Sequence, residues 1–236
     1  MFIIIGSKQN IAKINELDLP SIKINNKAIK REKTVKNLGI LFDENLSWDA
    51  EINKCISNGY YKLKQAFRYK HFLTKESKKI IVQSYILSQF NYSSIILQNL
   101  TKLQVEKIQK FQNTCVRYIL NLKKFDHISH CYPDLNILKM VNSRNLQSLT
   151  LMHKICSGNA PQYLIDKIVL QGEHHNHQTR TRNNLNIARF HTNYGKNRFF
   201  NFIGNKYNCL KNQLNILPTT SVNVLKTKLK KYFQDA

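Results

Sequence analysis

The sequence predicts a mainly α chain, a helical bundle carrying a small antiparallel β segment at its N-terminus, α+β overall. Three observations carry that prediction. From Asp49 onward apolar residues recur every three or four positions, the period of a helix with one buried face. Before Trp48 the period is shorter, with Ile22 and Ile24 alternating with Lys23 and Asn25 as on a half-buried strand. Gly accounts for 7 and Pro for 4 of the 236 residues, too few to turn an all-β chain. With 42% hydrophobic residues the chain is long and apolar enough to bury a core, which excludes disorder as its main state.

Residues 1–48 supply the strands. Residues 2–5 form a short apolar run closed by Gly6. Pro20 and Ser21 punctuate the gap before Ile22 and Ile24, and Asn26-Lys27 turns the chain into Ala28 and Ile29. Residues 35–42 are a second apolar run with Gly39 inside it, and a glycine within a strand marks a bulge or a close backbone approach.

Residues 49–170 read as a helical region. Over 49–68, Ile52, Ile56, Tyr60, Leu63 and Phe67 form an apolar stripe, with Lys54, Lys62, Lys64 and Arg68 beside it. Thr74 is a helix cap and Glu76 suits a first turn, so a second helix runs to about Leu97, apolar on most sides and central. Thr101 caps a third, which carries Leu103, Ile108, Phe111, Cys115, Ile119 and Leu122 inward. A fourth covers 135–156 and stops at Ser157-Gly158, and Pro161 opens a short helix through Ile168. Residues 171–236 form the third region. A polar loop or hairpin over 171–194 leads to helices over 195–214 and 222–233, with eleven Lys and Arg against Glu173 and Asp235.

Charge is the dominant signal. Lys and Arg number 37 against 14 Asp and Glu, a net +23 and a pI near 9.9, which predicts an anionic partner. Nucleic acid is the first candidate and an anionic membrane surface the second; a coding bias toward Lys, Asn and Ile is the account without function. The most apolar stretch, residues 80–97, is interrupted by Gln83, Ser84, Ser88, Gln89, Asn91, Ser93 and Ser94, so no membrane span is expected. The opening MFIIIGSKQN lacks the basic region of a secretory leader. Five widely spaced cysteines, Cys55, Cys115, Cys131, Cys156 and Cys209, suit free thiols in a reducing compartment. An intracellular protein, nuclear or cytoplasmic and not secreted, is expected.

Several chemistries find little footing. His174, His175 and His177 cluster with Glu173, and His127, His130 and Cys131 form a second group, but neither has the paired ligand spacing of a zinc site. There is no GxSxG, no HExxH and no Gly-rich phosphate loop. Two-metal phosphoryl transfer needs clustered carboxylates. Asp43 and Glu44 are adjacent and would point to opposite faces of a strand, and with Asp49 and Glu51 they read as a turn followed by an acidic helix start. No catalytic residue and no metal ligand is therefore assigned. Nucleic-acid binding has more support, because basic residues interleave with aromatics in Tyr60-Tyr61-Lys62-Leu63-Lys64, in Phe67-Arg68-Tyr69-Lys70 and in residues 194–200.

These residues also resemble a known family. Phe2-Ile3-Ile4-Ile5-Gly6-Ser7-Lys8, Ile22-Lys23-Ile24-Asn25, Val35-Lys36-Asn37-Leu38-Gly39-Ile40-Leu41-Phe42-Asp43 and Leu46-Ser47-Trp48 look like the end of the palm in non-LTR (LINE-type, jockey or CR1-like) retrotransposon reverse transcriptases. Gln109, Gln112, Asn113 and Cys115 fall in a helix similar to one that follows the thumb. Arg144, the turn 157–161, Thr179-Arg180, Arg189, Thr192, Tyr194-Gly195-Lys196, Gly204, Tyr207, Asn208 and Leu210 follow in order, with Tyr207 where Trp is commoner in the family. The resemblance covers nearly the whole chain.

It implies that residues 1–48 are terminal palm strands, 49–170 a thumb-like region and 171–236 a basic C-terminal region. It places Leu38, Gly39 and Ile40 in the hairpin called the primer grip. It implies RNA-directed DNA synthesis, with Mg²⁺, for the intact parent polymerase. The Asp-Asp pair on which that activity depends occurs nowhere in these 236 residues, so this chain alone is expected to be inactive, with an upstream polymerase segment among its candidate partners. An RNA–DNA or DNA duplex is the expected partner. Lys54, Lys62, Lys64, Arg68 and Lys70 would contact it from one helix, and Arg180, Arg182, Arg189, Lys196 and Arg198 from the C-terminal region. A non-functional remnant of a transposable element, or a basic helical nucleic-acid-binding protein without catalysis, are the alternatives.

Overall fold

The computed structural model describes residues 1–14, 19–92, 94–173 and 181–235, with Tyr194 described by its backbone alone. It is mainly helical, with a small β segment near the N-terminus. Two compact units are present. One comprises residues 1–93 and 100–128, the other residues 94–99 and 129–236.

In the first unit, helix α1 (Lys8–Ala12) is capped by the Ser7 hydroxyl. Two hairpins follow. Strands β1 (Lys23–Ile24) and β2 (Lys27–Ala28) pair through a turn at Asn25-Asn26, one residue earlier than expected, because both asparagines take positive φ (49° and 59°). Strands β3 (Thr34–Asn37) and β4 (Ile40–Asp43) pair in the register Val35 to Phe42 and Lys36 to Leu41. Gly39 therefore lies outside a strand interior. It shares the turn with Leu38, at φ 85° and 47°, where a two-residue loop with both φ positive matches the strand twist.

Helix α2 (Asp49–Arg68) has the expected bounds, and it buries Ile52, Cys55, Leu63 and Ala66. The single helix expected over 75–97 is a correction. Helix α3 (Lys75–Ile81), capped by Thr74, passes into a π-helical turn over Val82–Ile86, then helix α4 (Ser88–Tyr92) and a 3₁₀ turn over Ile96–Gln98. The wider turn brings Val82, Ile86 and Leu87 all inward, where a regular helix would carry them round its axis.

Helix α5 (Lys102–Leu120) starts in a capping box between Thr101 and Gln104 and ends at Asn121 in the left-handed region. Ile108, Phe111, Cys115 and Ile119 face inward as expected, whereas Leu103 is exposed. It crosses α2 at Gly59, where a Cβ would lie 2.4 Å from the Phe111 ring. Lys78 is buried with its Nζ donating to Asn121 Oδ1 at 2.9 Å, near the carbonyl end of α5.

The second unit begins with α6 (Cys131–Asp134) and α7 (Met140–Cys156), not one helix from 135. Asn136 at φ 53° ends the first, and buried Leu135 and Ile137 anchor the link. Gly158 closes α7 with φ 72°, and Pro161 precedes α8 (Gln162–Ile165). The helix expected over 195–214 is also split, into α9 (Asn193–Lys196) and α10 (Phe199–Gln213). Thr192 caps α9, and Asn201 Nδ2 takes the Gly195 carbonyl at 2.6 Å, which leaves Arg198 extended between them. Helix α11 (Val222–Asp235) completes the unit.

Helices α7, α10 and α11 enclose a core of Leu149, Met152, Ile203, Tyr207, Leu225 and Leu229. Within it His153 is fully buried. Its Nε2 donates to the Thr220 carbonyl at 2.7 Å, so its Nδ1 accepts from the Tyr207 hydroxyl at 2.9 Å. No helix among the described residues is long and apolar enough to cross a membrane.

Candidate nucleic-acid interface

The β3–β4 hairpin tip is held from two sides within the first unit. Lys54 of α2 donates from Nζ to the Gly39 carbonyl at 2.7 Å. The Tyr92 hydroxyl of α4 donates to the Leu38 carbonyl at 2.9 Å. Both tip carbonyls are thereby occupied, and the Leu38 side chain stands 81% exposed, while Ile40 is buried beneath. Of the three residues expected at this tip, two reach the surface and one is core.

The four acids near this tip do not fit a Mg²⁺ site, because each is already used by the protein. Asp43 accepts from the backbone N–H groups of Asn45, Ser47 and Trp48 and from the Ser47 hydroxyl. Burial would raise its pKa, but those donors outweigh burial and hold the carboxyl below its ordinary range. Glu44 pairs with Arg31 at 3.1 Å. Asp49 accepts from Gln104 Nε2 at 2.7 Å. Glu51 is buried and takes the Leu41 N–H at 2.8 Å together with Lys54 Nζ and the Cys55 thiol. These acids serve the strand-to-helix junction. Among the described residues no group of three or more His, Cys, Asp or Glu could hold a metal; His174, His175 and His177 lie outside the described residues.

The basic residues expected on α2 separate into two kinds. Lys54 and Lys62 have internal partners. Lys54 ties Glu51 to the hairpin, and Lys62 donates to the Tyr85 carbonyl at 2.9 Å with its Nζ 4.5 Å from the Tyr85 ring centre. Lys64 and Arg68 are exposed. Lys70 lies 5.8 Å from the Phe67 ring centre, just past the helix end. Positions 54, 61 and 68 recur at heptad spacing and so share one face, with Lys64 beside them. Tyr61 is exposed between the cations. From Lys54 to Arg68 this face extends about 21 Å, and the hairpin tip is fixed at its Lys54 end.

In the second unit, Phe190 organises part of the predicted set. Gly195 packs under its ring, and the Arg198 guanidinium lies 5.5 Å from the ring centre. Arg198 is thus seated on this aromatic, and Arg189 and Lys196 adjoin Phe190 and Gly195 in the chain, all three cations exposed at the approach to α10. Arg182 is elsewhere, its side chain lying over Gly172. Arg180 is outside the described residues.

Sequence reasoning did not assign Tyr85 or Tyr92, which sit in a segment read as one buried helix. Their hydrogen bonds span 23 and 54 residues, and no local signal encodes them. Three of the thiols are held unreactive: burial pushes Cys55 and Cys115 up to about 12 and Cys156 to about 11. Comparison of the chain with protein-family models, with curated proteins and with solved structures gives no match.

Proposed function

We propose that the chain is the primer–template-holding part of a non-LTR retrotransposon reverse transcriptase, and that it grips an RNA–DNA or DNA duplex by its phosphates. Two things support this reading: the ordered motifs quoted from the sequence, and the fixed hairpin tip at the head of the α2 face. The second carries it. With both tip carbonyls satisfied by Lys54 and Tyr92, the tip offers Leu38 and no free carbonyl dipole to an approaching backbone. Lys64 and Arg68 then continue as exposed cations along the same helix.

Neutralised phosphates release counterions, and that entropy drives binding without reading sequence. Lys54 and Lys62 act here by positioning, since their donors already have partners. The carboxylates for polymer synthesis would come from another segment, because the acids of this region are consumed in the β4–α2 junction.

The test is titration of a fluorescent RNA–DNA duplex with the full chain over a range of salt. We expect a steep fall of affinity with salt, and a slope shallower by about 1.8 in the K64Q/R68Q double variant, from two lost phosphate contacts. Equal affinity for the duplex, for heparin and for anionic vesicles, or a double variant with the parental slope, overturns the proposal.

A further inference from the structure

Arg144 of α7 is only 5% exposed, yet among the described residues no carboxylate pairs with it and no hydrogen bond holds its guanidinium. A side-chain donor reaches its backbone instead: Gln98 Nε2 donates to the Arg144 carbonyl at 3.0 Å. Its guanidinium nitrogens are not sealed from solvent. The little surface Arg144 retains therefore opens its donors outward.

A second cation stands beside it. Lys206 of α10 bonds through Nζ to Oδ1 of Asn145, the next residue along α7, at 3.1 Å, and lies 4.3 Å from the Phe202 ring centre. Burial lowers the pKa of Lys206, and the neighbouring Arg144 charge lowers it further. Burial likewise lowers that of Arg144.

An unpaired buried charge is costly, and most side chains escape that cost by losing it. A guanidinium does not deprotonate in a protein, so Arg144 remains a buried cation that lacks its counter-charge. Four acids occur in the sequence of this unit, Asp134, Asp166, Glu173 and Asp235, and none forms an ion pair with either cation. An anion from outside would complete the site. The planar fork of Arg and the point charge of Lys together suit tetrahedral oxyanions.

We infer that Arg144 and Lys206, with Asn145 orienting the lysine, form a binding site for a phosphate group. A nucleic-acid phosphate and free phosphate present the same chemistry; the first source rests on the function proposed above, the second does not.

The experiment uses the full chain and its K206Q, R144K and R144Q variants, with circular dichroism to confirm the fold. Inorganic phosphate, matched in ionic strength with sodium chloride, should raise the melting temperature by about 4 °C at ten times its dissociation constant. Neither K206Q nor R144Q should respond, and R144K should respond weakly. Half-exposed Lys206 keeps the test decisive if Arg144 variants misfold. In the duplex titration, a polynucleotide source predicts about ten-fold weaker binding by K206Q. Unchanged duplex affinity with the phosphate response lost assigns the site to free phosphate or a mononucleotide. A parental protein that ignores duplex but responds to phosphate through these residues leaves the site standing and removes the proposed function. No phosphate response in the parental chain, or an equal response in every variant, overturns the site while duplex binding remains a separate result.

Discussion

Asp43 carries more of the first unit's geometry than its place beside the hairpin suggests. Its two oxygens accept four hydrogen bonds from residues 45–48 and so fix the path from β4 into α2. That path includes Leu46 and Trp48 at φ 51° and 66°, conformations that such residues adopt only under constraint. Trp48 returns the favour by packing edge-on to Phe42, 5.4 Å between ring centres. Because the carboxyl is held below its ordinary range, the folded state binds its proton less readily than the unfolded chain does. The stabilisation is complete above the unfolded value, about 3.9, and is lost as pH falls through the folded value. D43N should therefore melt below the parental protein at neutral pH, and the gap should narrow once the pH falls below the unfolded value and through the lower folded one. Thermal melts across that range are the check; a gap that ignores pH would mean the charge plays no part.

Among the elements, the crossing of α2 and α5 is tightly constrained at Gly59. Phe111 is 1% exposed and stacks with Tyr60 and Phe90 at ring-centre distances of 4.9 and 5.4 Å, so it has nowhere to go when a methyl is placed at Gly59. Alanine favours a helix over glycine by about 1 kcal/mol, but overpacking costs about 1–3 kcal/mol, so G59A should come out destabilised. Chemical denaturation would show it as a lower midpoint at unchanged slope. Elements of this kind were legible in proportion to their periodicity. Helix α2 shows its bounds and part of its stripe: Ile52 and Leu63 are buried as expected, whereas Tyr60 and Phe67 are exposed and Cys55, Gly59 and Ala66 complete the inner face. The segment after Thr74 shows its cap but not its π turn, since buried Val82 and Ile86, four residues apart, fit a regular helix equally well. Both hairpin turns are set by positive φ at Asn25-Asn26 and Leu38-Gly39, which placed one turn a residue away from the expected position and moved Gly39 out of a strand. The Leu38 conformation in particular is imposed by pairing on either side, not by its own preference.

At the scale of the molecule, charge is the property the sequence displays best and allocates worst. Both units are basic: the second holds 15 Lys and Arg against four acids, the first 22 against ten. Composition predicts an anionic partner, but it does not distinguish Lys64, which is exposed, from Lys62 and Lys54, which are tied to a neighbouring ring and to a hairpin carbonyl. Nor does it reveal that Arg144 is enclosed. The lysine distinctions depend on residues that meet across 15 and 23 positions of chain. A net +23 also acts on the fold itself through self-repulsion. Added sodium chloride shortens the Debye length to about 10 Å at 0.1 M. The melting temperature should accordingly rise with salt over the range in which duplex binding weakens. Differential scanning calorimetry at low and moderate salt tests this, and a fall would show that attractive pairs outweigh the repulsion.

Residues 94–99 belong to the second unit although the chain then returns to the first for residues 100–128. Gln98 bonds there to the Arg144 carbonyl, and Asn99 to the Asn197 carbonyl. During synthesis this short piece leaves the ribosome long before α7 and α10 exist to receive it. The interior of the first unit can close around α2 to α5 while residues 94–99 wait as an exposed loop. The second unit then forms by capturing that loop, a non-local step that slows folding through loop-closure entropy. The order of assembly is thereby written into the connectivity: the N-terminal unit can precede the C-terminal one, and a fragment starting at residue 129 would lack a strap that its own long helices are built to bind.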